Sequence, residues 1–142
     1  MQNIAWLEGE DITKINYSFL KNTAVLEGPF LGKATAVAER PKNLFYYSNK
    51  TDLYFLGAAY LEAIAVAHIF PDANKRTAMF GCIAFLQRNR IYIDNNSNIL
   101  SSLALGSAKH EISLEEIGKT LEKLSLNLKK ELEKNNETTF KR

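Results

Sequence analysis

The segment LYFLGAAYLEAIAVA, residues 53–67, is apolar around nearly the whole circumference of a helix. A helix of this kind has no polar face to turn toward water, so other elements have to surround it. A second apolar helical segment, TAMFGCIAFL at residues 77–86, follows after a short polar break. The chain is therefore predicted to fold around two buried helices that are joined by residues 68–76.

The first part of the chain also has helical periodicity. A first helix is predicted from about Asp11, with an apolar stripe formed by Ile12, Ile15, Phe19 and Leu20. A loop is predicted at residues 27–32, and a short helix at residues 33–40 is expected to stop before Pro41, because proline disfavours the helical conformation in the residue that precedes it. The next segment, KNLFYYSNKTD at residues 42–52, mixes three aromatic residues with polar ones and predicts a hairpin or an exposed flap.

The region after the second apolar helix predicts one short strand and one short helix. The apolar triplet IYI at residues 91–93 favours an edge strand. The segment SNILSSLALG at residues 97–106 favours a helix that Ser97 caps and Gly106 ends.

The last helix opens with a capping box formed by Ser113 and Glu116. Its apolar stripe consists of Leu114, Ile117, Leu121, Leu124 and Leu128. At 142 residues the chain is long enough for one core and too short for two. We therefore predict an all-α fold of about six helices with a short hairpin or flap, formed by residues 1–128 and followed by a polar, solvated tail at residues 129–142.

Composition limits the classes of function. The 18 lysines and arginines nearly balance the 16 acidic residues, so the net charge of +2 offers no large basic surface for nucleic acid. Cys82 is the single cysteine and lies in an apolar run, which indicates a buried thiol and a reducing compartment. The N-terminus has no secretory signal pattern, and no apolar stretch is long enough to cross a bilayer. The expectation is a soluble cytoplasmic protein without membrane contact.

The polar break HIFPDANKR, residues 68–76, gathers several chemical groups where two buried helices meet. The first N–H groups of the second helix have no partner within that helix and attract anions. Lys75 and Arg76 lie in the same turn, where cations are unfavourable for the helix dipole, so their presence indicates that an anion such as phosphate binds there. Asp72 is suited to hold Mg²⁺, and His68 has a suitable pKa range to accept a proton from a hydroxyl group. Asn74 provides a carboxamide and tolerates a left-handed backbone.

Simpler interpretations exist for each of these residues taken singly. His68 taken alone is better explained as a core or capping residue at a helix end, and Asp72 as the N-cap of the next helix. Asn74, Lys75 and Arg76 taken alone are better explained as ordinary polar residues at the exposed start of a helix. These interpretations weaken when the residues are taken together, because the flanking helices are so apolar. A zinc site is disfavoured because His68 and Asp72 are too few ligands. A cysteine nucleophile is disfavoured because Cys82 lies about two turns into the second helix. The sequence also contains no P-loop string.

Taken together, these residues resemble the signature of the Fic/Doc family, H-x-F-x-[DE]-[GA]-N-[GK]-R. The matching residues are His68, Phe70, Asp72, Ala73, Asn74, Lys75 and Arg76. The position after the asparagine distinguishes two branches, since AMP transferases of the family usually have glycine there and the Doc (death-on-curing) toxins have lysine. Lys75 matches the Doc branch, and the resemblance extends over roughly residues 10–128.

The resemblance implies an all-helical Fic fold and an ATP- and Mg²⁺-dependent kinase. In the Doc branch, the implied reaction is transfer of the γ-phosphoryl group to a threonine of elongation factor Tu, which halts translation. His68 would be the general base and Asp72 would hold Mg²⁺ or orient the phosphates, while Asn74, Lys75 and Arg76 would bind the phosphates. Phe70 would anchor the loop in the core. A partner antitoxin is also implied.

Two other functions remain open at this point. One is transfer of AMP to a protein hydroxyl, and the other is a catalytically silent binding module, although none of the motif residues it would be expected to lose is missing. The segment at residues 42–52 is interpreted either as a flap that pairs with a target peptide or as a surface loop. The string TAVLEG, residues 23–28, fits an inhibitory pattern of some Fic enzymes, and we interpret the match as coincidental.

Overall fold

A computed structural model describes residues 3–20 and 30–126. Within these residues the chain forms six helices: α1 (Gly9–Phe19), α2 (Leu31–Ser48), α3 (Leu53–Ala67), α4 (Asn74–Arg88), α5 (Ser97–Ala108) and α6 (Leu114–Lys123). The predicted all-α fold is confirmed. The inhibitory pattern at residues 23–28, Leu128 and the predicted tail at residues 129–142 lie outside the described residues.

Helix α3 is the centre of the molecule, as its apolar sequence predicts. It packs against α2, α4, α5 and α6, and most of its side chains are buried. Its contact with α4 is close because a glycine stands at the contact on each helix. A Cβ atom at Gly57 would lie 3.2 Å from Leu86, and one at Gly81 would lie 2.9 Å from Ile64. The two helices that carry the polar loop are therefore held together by tightly packed apolar surface.

The helix starts follow local capping rules. Asp52 caps α3 by accepting a hydrogen bond of 2.8 Å from the Tyr54 N–H. The predicted capping box of α6 is confirmed, since Ser113 accepts from the Glu116 N–H at 3.1 Å and Glu116 accepts in return from the Ser113 N–H at 3.3 Å.

Helix α2 continues through Pro41, so the prediction that a short helix stops there is wrong. Pro41 is an interior residue of α2, and it is buried against the rest of the protein. Proline removes one helical hydrogen bond, at a cost of about 3 kcal/mol. Residues beyond it recover this cost by packing: Leu44 and Phe45 lie against the core, and the Phe45 ring meets Trp6 edge to face at 5.5 Å. Tertiary contacts thus override the local signal.

The predicted hairpin or flap is also wrong. Residues 42–48 form the last turns of α2, which ends where Asn49 adopts a left-handed conformation with φ of 54°. The Lys50 N–H then donates to the Leu44 carbonyl at 3.1 Å. The aromatic residues follow the helix instead of alternating across a strand, and Tyr46 and Tyr47 remain exposed.

The predictions for residues 91–106 are corrected in three details. The apolar triplet at 91–93 makes a single antiparallel bridge, between Ile93 and Ser125, and not a strand. Helix α5 is capped by Asn96, which accepts from the Ile99 N–H at 3.1 Å, so Ser97 is its first residue. Gly106 does not end the helix; a Cβ atom there would lie 3.2 Å from Ile112, so this glycine serves close packing.

Helix α1 is fastened to the rest of the molecule at its N-terminal end. Asp11 forms a two-pronged ion pair with Arg88 at the end of α4, with distances of 2.8 and 3.1 Å. The hydrogen bond from Arg88 is the main cause that lowers the pKa of Asp11 below its usual value. A Cβ atom at Gly9 would lie 2.6 Å from the Thr35 backbone nitrogen, so only glycine fits where α1 meets α2. The opposite end of α1 is thereby directed toward the start of α4.

Among the described residues, no helix combines the length and the hydropathy that a membrane span requires.

Candidate active site

The polar residues 68–76 form the connection between α3 and α4. His68 is the C-cap of α3, with φ of 46°, and Ala73 precedes α4 with φ of 63°. Both backbones are in the left-handed region, which residues other than glycine, asparagine, aspartate and histidine rarely adopt, so Ala73 is the unusual case. A surface cavity of about 320 Å³ is lined by His68 and residues 71–76. The structure therefore brings His68, Asp72, Asn74, Lys75 and Arg76 to one cavity.

The loop is anchored by two apolar side chains that point away from the cavity. Ile69 and Phe70 are both buried, and the Phe70 ring lies 5.7 Å from the ring of Phe30. The expected anchoring role of Phe70 is consistent with this placement. The polar residues on either side of this anchor are consequently held at the surface.

The Asn74 carboxamide closes the loop onto itself. Its oxygen accepts from the Phe70 N–H at 3.0 Å, and its nitrogen donates to the Phe70 carbonyl at 2.7 Å. Both ends of the amide are thus engaged by the backbone, which leaves one amide hydrogen for any other partner. Asn74 shapes the loop with its side chain and presents its backbone N–H at the start of α4.

Helix α4 begins without a side-chain cap. Ala73 occupies the N-cap position, so the alternative in which Asp72 is the N-cap is wrong. The first helical bond of α4 runs from the Thr77 N–H to the Ala73 carbonyl at 2.9 Å. Within residues 3–20 and 30–126, the N–H groups of residues 74–76 have no hydrogen-bond acceptor. Three donors and the positive end of the helix dipole therefore face the cavity, which is the arrangement that binds phosphate.

Asp72 is the carboxylate of the cavity. One of its oxygens accepts from the Ala73 N–H at 2.7 Å, and the residue is exposed. Mg²⁺ normally takes one or two protein carboxylates and completes its shell with water and phosphate oxygens, so this donor set fits Mg²⁺ bound together with a nucleotide. The described residues contain no group of three or more histidine, cysteine or acidic side chains arranged as a metal site.

The two cations of the motif are exposed and differ in how they are held. The Arg76 guanidinium lies 5.0 Å above the ring of Phe19, the last residue of α1. Phe19 packs in turn against Phe80, with ring centroids 5.3 Å apart. Lys75 makes no ion pair with the part of the chain that the structure describes. Arg76 is thus supported from below by an aromatic ring, whereas Lys75 extends from the cavity wall.

Asn16 is a buried polar residue of the site that the sequence analysis missed. It is 4% exposed, and its side-chain nitrogen donates to the Asp72 carbonyl at 2.9 Å and to the Thr77 hydroxyl at 3.0 Å. Its position on the apolar stripe of α1, one turn after Ile12, was a signal, since an asparagine there needs a partner inside the protein.

A larger cavity, of about 460 Å³, lies between α1 and α4. Its lining is mainly apolar and includes Ile15, Phe80 and Ile83, and none of the described residues that line it carries a charge. The described lining therefore offers no charged group for phosphate chemistry. Cys82 does not supply a nucleophile either, because it is fully buried and burial raises its pKa to about 12.

The sequence also matches known proteins. Residues 6–86, more than half of the chain, match the model of the Fic/DOC family. The protein named Protein kinase doc, from Escherichia phage P1, is 40% identical to this chain over 93 residues, which cover 66% of this chain and 73% of that protein. The matched range includes every residue that lines the cavity, namely His68 and residues 71–76. The chain belongs to the Fic/DOC family.

Proposed function

We propose that this protein is a kinase that transfers the γ-phosphoryl group of ATP to a hydroxyl group of a protein. The observation that carries the proposal is the cavity at the start of α4. There, three N–H groups that have no acceptor among the described residues lie beside His68, Asp72, Lys75 and Arg76. The kinase named among the relatives supports phosphoryl transfer over other uses of the same cavity.

The proposed reaction needs a base, a phosphate site and charge neutralisation. His68 accepts the proton of the target hydroxyl group while the oxygen of that hydroxyl group bonds to the γ-phosphorus. The bond between the γ-phosphorus and the bridging oxygen breaks, and ADP leaves with that oxygen. Arg76, the N–H groups of residues 74–76 and Lys75 stabilise the negative charge of the transferring group.

The proposed cofactors are ATP and Mg²⁺. Asp72 would hold Mg²⁺ through the carboxylate oxygen that does not accept from Ala73. When bound, the ion would offset negative charge on the phosphates. Asn74 is assigned a role in shaping the loop and in contacting phosphate with its backbone N–H, because its carboxamide is engaged with Phe70.

The proposed target is a threonine of elongation factor Tu, on the basis of the resemblance to the Doc branch. A cognate antitoxin and a cytoplasmic location are proposed on the same basis. Lys75 supports this branch, because it places bulk and charge where glycine would leave room, and so favours the γ-phosphoryl group over AMP as the group presented to His68.

The test is to incubate the purified chain with elongation factor Tu, or with a cell lysate, and ATP labelled at either the α- or the γ-phosphate. The proposal predicts that protein acquires label from γ-labelled ATP only. Label from α-labelled ATP would instead establish AMP transfer, and no label from either would favour a silent binding module.

A growth assay provides a second check. Expression of the wild-type chain is expected to arrest cells, and Arg76→Ala is expected to restore growth. Arg40→Ala serves as a matched control, since Arg40 is an exposed arginine on α2 that pairs only with Glu62, at 3.6 Å, among the described residues. Equal toxicity of Arg76→Ala and the wild type would contradict the role given to Arg76.

A further inference from the structure

Helix α1 reaches the phosphate loop through one buried polar side chain. The Asn16 amide donates to the Asp72 carbonyl at 2.9 Å and to the Thr77 hydroxyl at 3.0 Å, and that hydroxyl donates to the Ala73 carbonyl at 2.7 Å. Asn16 and Thr77 are 4% and 0% exposed. Asn16 therefore fixes, directly or through Thr77, two consecutive carbonyl groups of the loop.

These two carbonyl groups determine how the start of α4 is presented. The peptide groups that contain them also contain the N–H groups of residues 73 and 74, because each peptide group is planar. Ala73 is held in the left-handed region, with φ of 63°, which costs about 1–3 kcal/mol for a residue of this kind. Surrounding contacts have to maintain that conformation. The two hydrogen bonds between the Asn74 carboxamide and the Phe70 backbone do so from inside the loop, and Asn16 does so from the neighbouring helix.

We propose that Asn16 is a positioning residue of the phosphate site, acting through the backbone of residues 72–74 without touching the substrate. The inference rests on the proposed function, since it assigns Asn16 a part in holding the N–H groups that bind phosphate. Removal of the donor lets Ala73 leave its left-handed conformation, and the Asn74 N–H then no longer points in the same direction as the N–H groups of residues 75 and 76. A displacement of about 1 Å in such a site lowers rates by about 100-fold.

A merely structural role for Asn16 makes a different prediction. A buried hydrogen bond between α1 and α4 would affect the free energy of unfolding and leave the turnover of folded protein unchanged. Thr13 provides the matched control, because it is buried on the same helix at 3% exposure and its hydroxyl donates to the Gly9 carbonyl at 3.0 Å, away from the loop.

The experiment compares Asn16→Leu and Thr77→Val with Thr13→Val and the wild type. For each, kcat and the KM for ATP are measured with γ-labelled ATP and the target, at a temperature where circular dichroism finds all four proteins folded. We expect kcat to fall by about 10- to 100-fold in Asn16→Leu and Thr77→Val and to change less than threefold in Thr13→Val. Thr77→Ser, which keeps the hydroxyl, is expected to retain activity.

Wild-type kcat in Asn16→Leu, or an equal loss in Thr13→Val, would overturn the assignment. If the wild-type chain transfers no label at all, the proposed function fails, and hydrogen exchange decides the positioning role separately. The Phe70 N–H, bonded to Asn74, and the Thr77 N–H, bonded to Ala73, report the loop conformation. Faster exchange of these two amides in Asn16→Leu, by tenfold or more and with the later turns of α4 unchanged, would support positioning; unchanged exchange would refute it.

Discussion

Helices α3 and α4 pack against each other through apolar side chains, whereas the loop that joins them is polar and leaves backbone groups without partners among the described residues. The helix contact is apolar and tight, with Gly57 against Leu86 and Gly81 against Ile64. The loop has two left-handed residues, His68 and Ala73, and its N–H groups at residues 74–76 have no acceptor among the described residues. The helix contact buries its apolar side chains within the protein, whereas the loop leaves backbone N–H groups that we propose bind phosphate.

This difference indicates that stability and chemistry are assigned to separate regions. The helix contact is closely packed, so a change of side-chain volume there is expected to lower stability. The left-handed conformation of Ala73 is unfavourable by itself. The helices at both ends of the loop and the hydrogen bond from Asn16 hold the loop in place. Substitutions should therefore divide into those that lower stability and those that lower activity.

The largest expected effect follows from removing the proposed base. His68→Asn keeps a side chain that tolerates the left-handed backbone and removes the imidazole. We expect kcat to fall by about 100- to 10,000-fold, with the free energy of unfolding changed by less than about 0.5 kcal/mol. His110→Asn is the matched control, because His110 is the other histidine, is exposed and also has positive φ, of 58°. Label transfer at the wild-type rate by His68→Asn would remove His68 from the mechanism.

The opposite result is expected in the helix contact. Leu86→Ala empties fully buried volume beside Gly57 and should lower the free energy of unfolding by about 2–5 kcal/mol. At temperatures where the variant remains folded, its kcat should stay within about twofold of the wild type. Leu105→Ala, at an exposed leucine of α5, should leave both quantities nearly unchanged. A large fall in the kcat of folded Leu86→Ala would contradict the claim that the helix contact affects stability and the loop affects activity.

The ion pair that fastens α1 should make stability depend on pH. Because Arg88 lowers the pKa of Asp11 from its usual 3.8, the pair stabilises the folded state above that pH and loses its effect as the pH falls through the lower, folded value. Asp11→Asn is expected to cost about 0.2–1 kcal/mol at pH 7 and progressively less in acid, as measured by urea unfolding. Glu10→Gln, in the same turn, is the control. A cost for Asp11→Asn that does not change with pH would exclude the ion pair as its source.

The smallest expected effect concerns the ring beneath Arg76. Phe19→Leu removes the cation–π contact at 5.0 Å, worth about 0.5–1 kcal/mol, and should lower kcat/KM two- to fivefold. Phe55→Leu removes a similar contact with Lys50, at 5.2 Å and away from the loop, and should leave kcat/KM unchanged. Equal effects of the two substitutions would mean that the Phe19 ring does not position Arg76.

Much of the fold could be predicted from sequence because its signals are local. The apolar circumference of α3 and the capping box of Ser113 and Glu116 are read directly from the residues, and both predictions are confirmed. The errors arose where distant contacts outweigh local preference. Pro41 is tolerated because residues beyond it pack on Trp6, and Gly106 serves a close contact instead of a helix end.

The site divides in the same way. The motif residues are contiguous in sequence, so one loop was sufficient to predict that they share a cavity. Asn16 and Phe19 reach the loop only through the packing of α1 on α4, over more than 50 residues of sequence, as the bond between Asn16 and Asp72 illustrates. The sequence shows that Asn16 is polar but does not show which group it binds. The hydrogen bond between the Asn74 carboxamide and Phe70 could be identified only once the conformation of the loop was known.

The proposed phosphate site is tested most directly by titrating ATP with Mg²⁺ into the isotopically labelled chain and following backbone amide resonances. A phosphate site at the start of α4 predicts that the amides of residues 74–76 shift most, because they would donate to phosphate, and that Arg76→Ala weakens the response. Resonances near Asn89 and Arg90, in a polar cavity at the opposite end of α4, should remain in place. Absence of shifts at residues 74–76, or larger shifts around Arg90, would contradict a phosphate site at the start of α4.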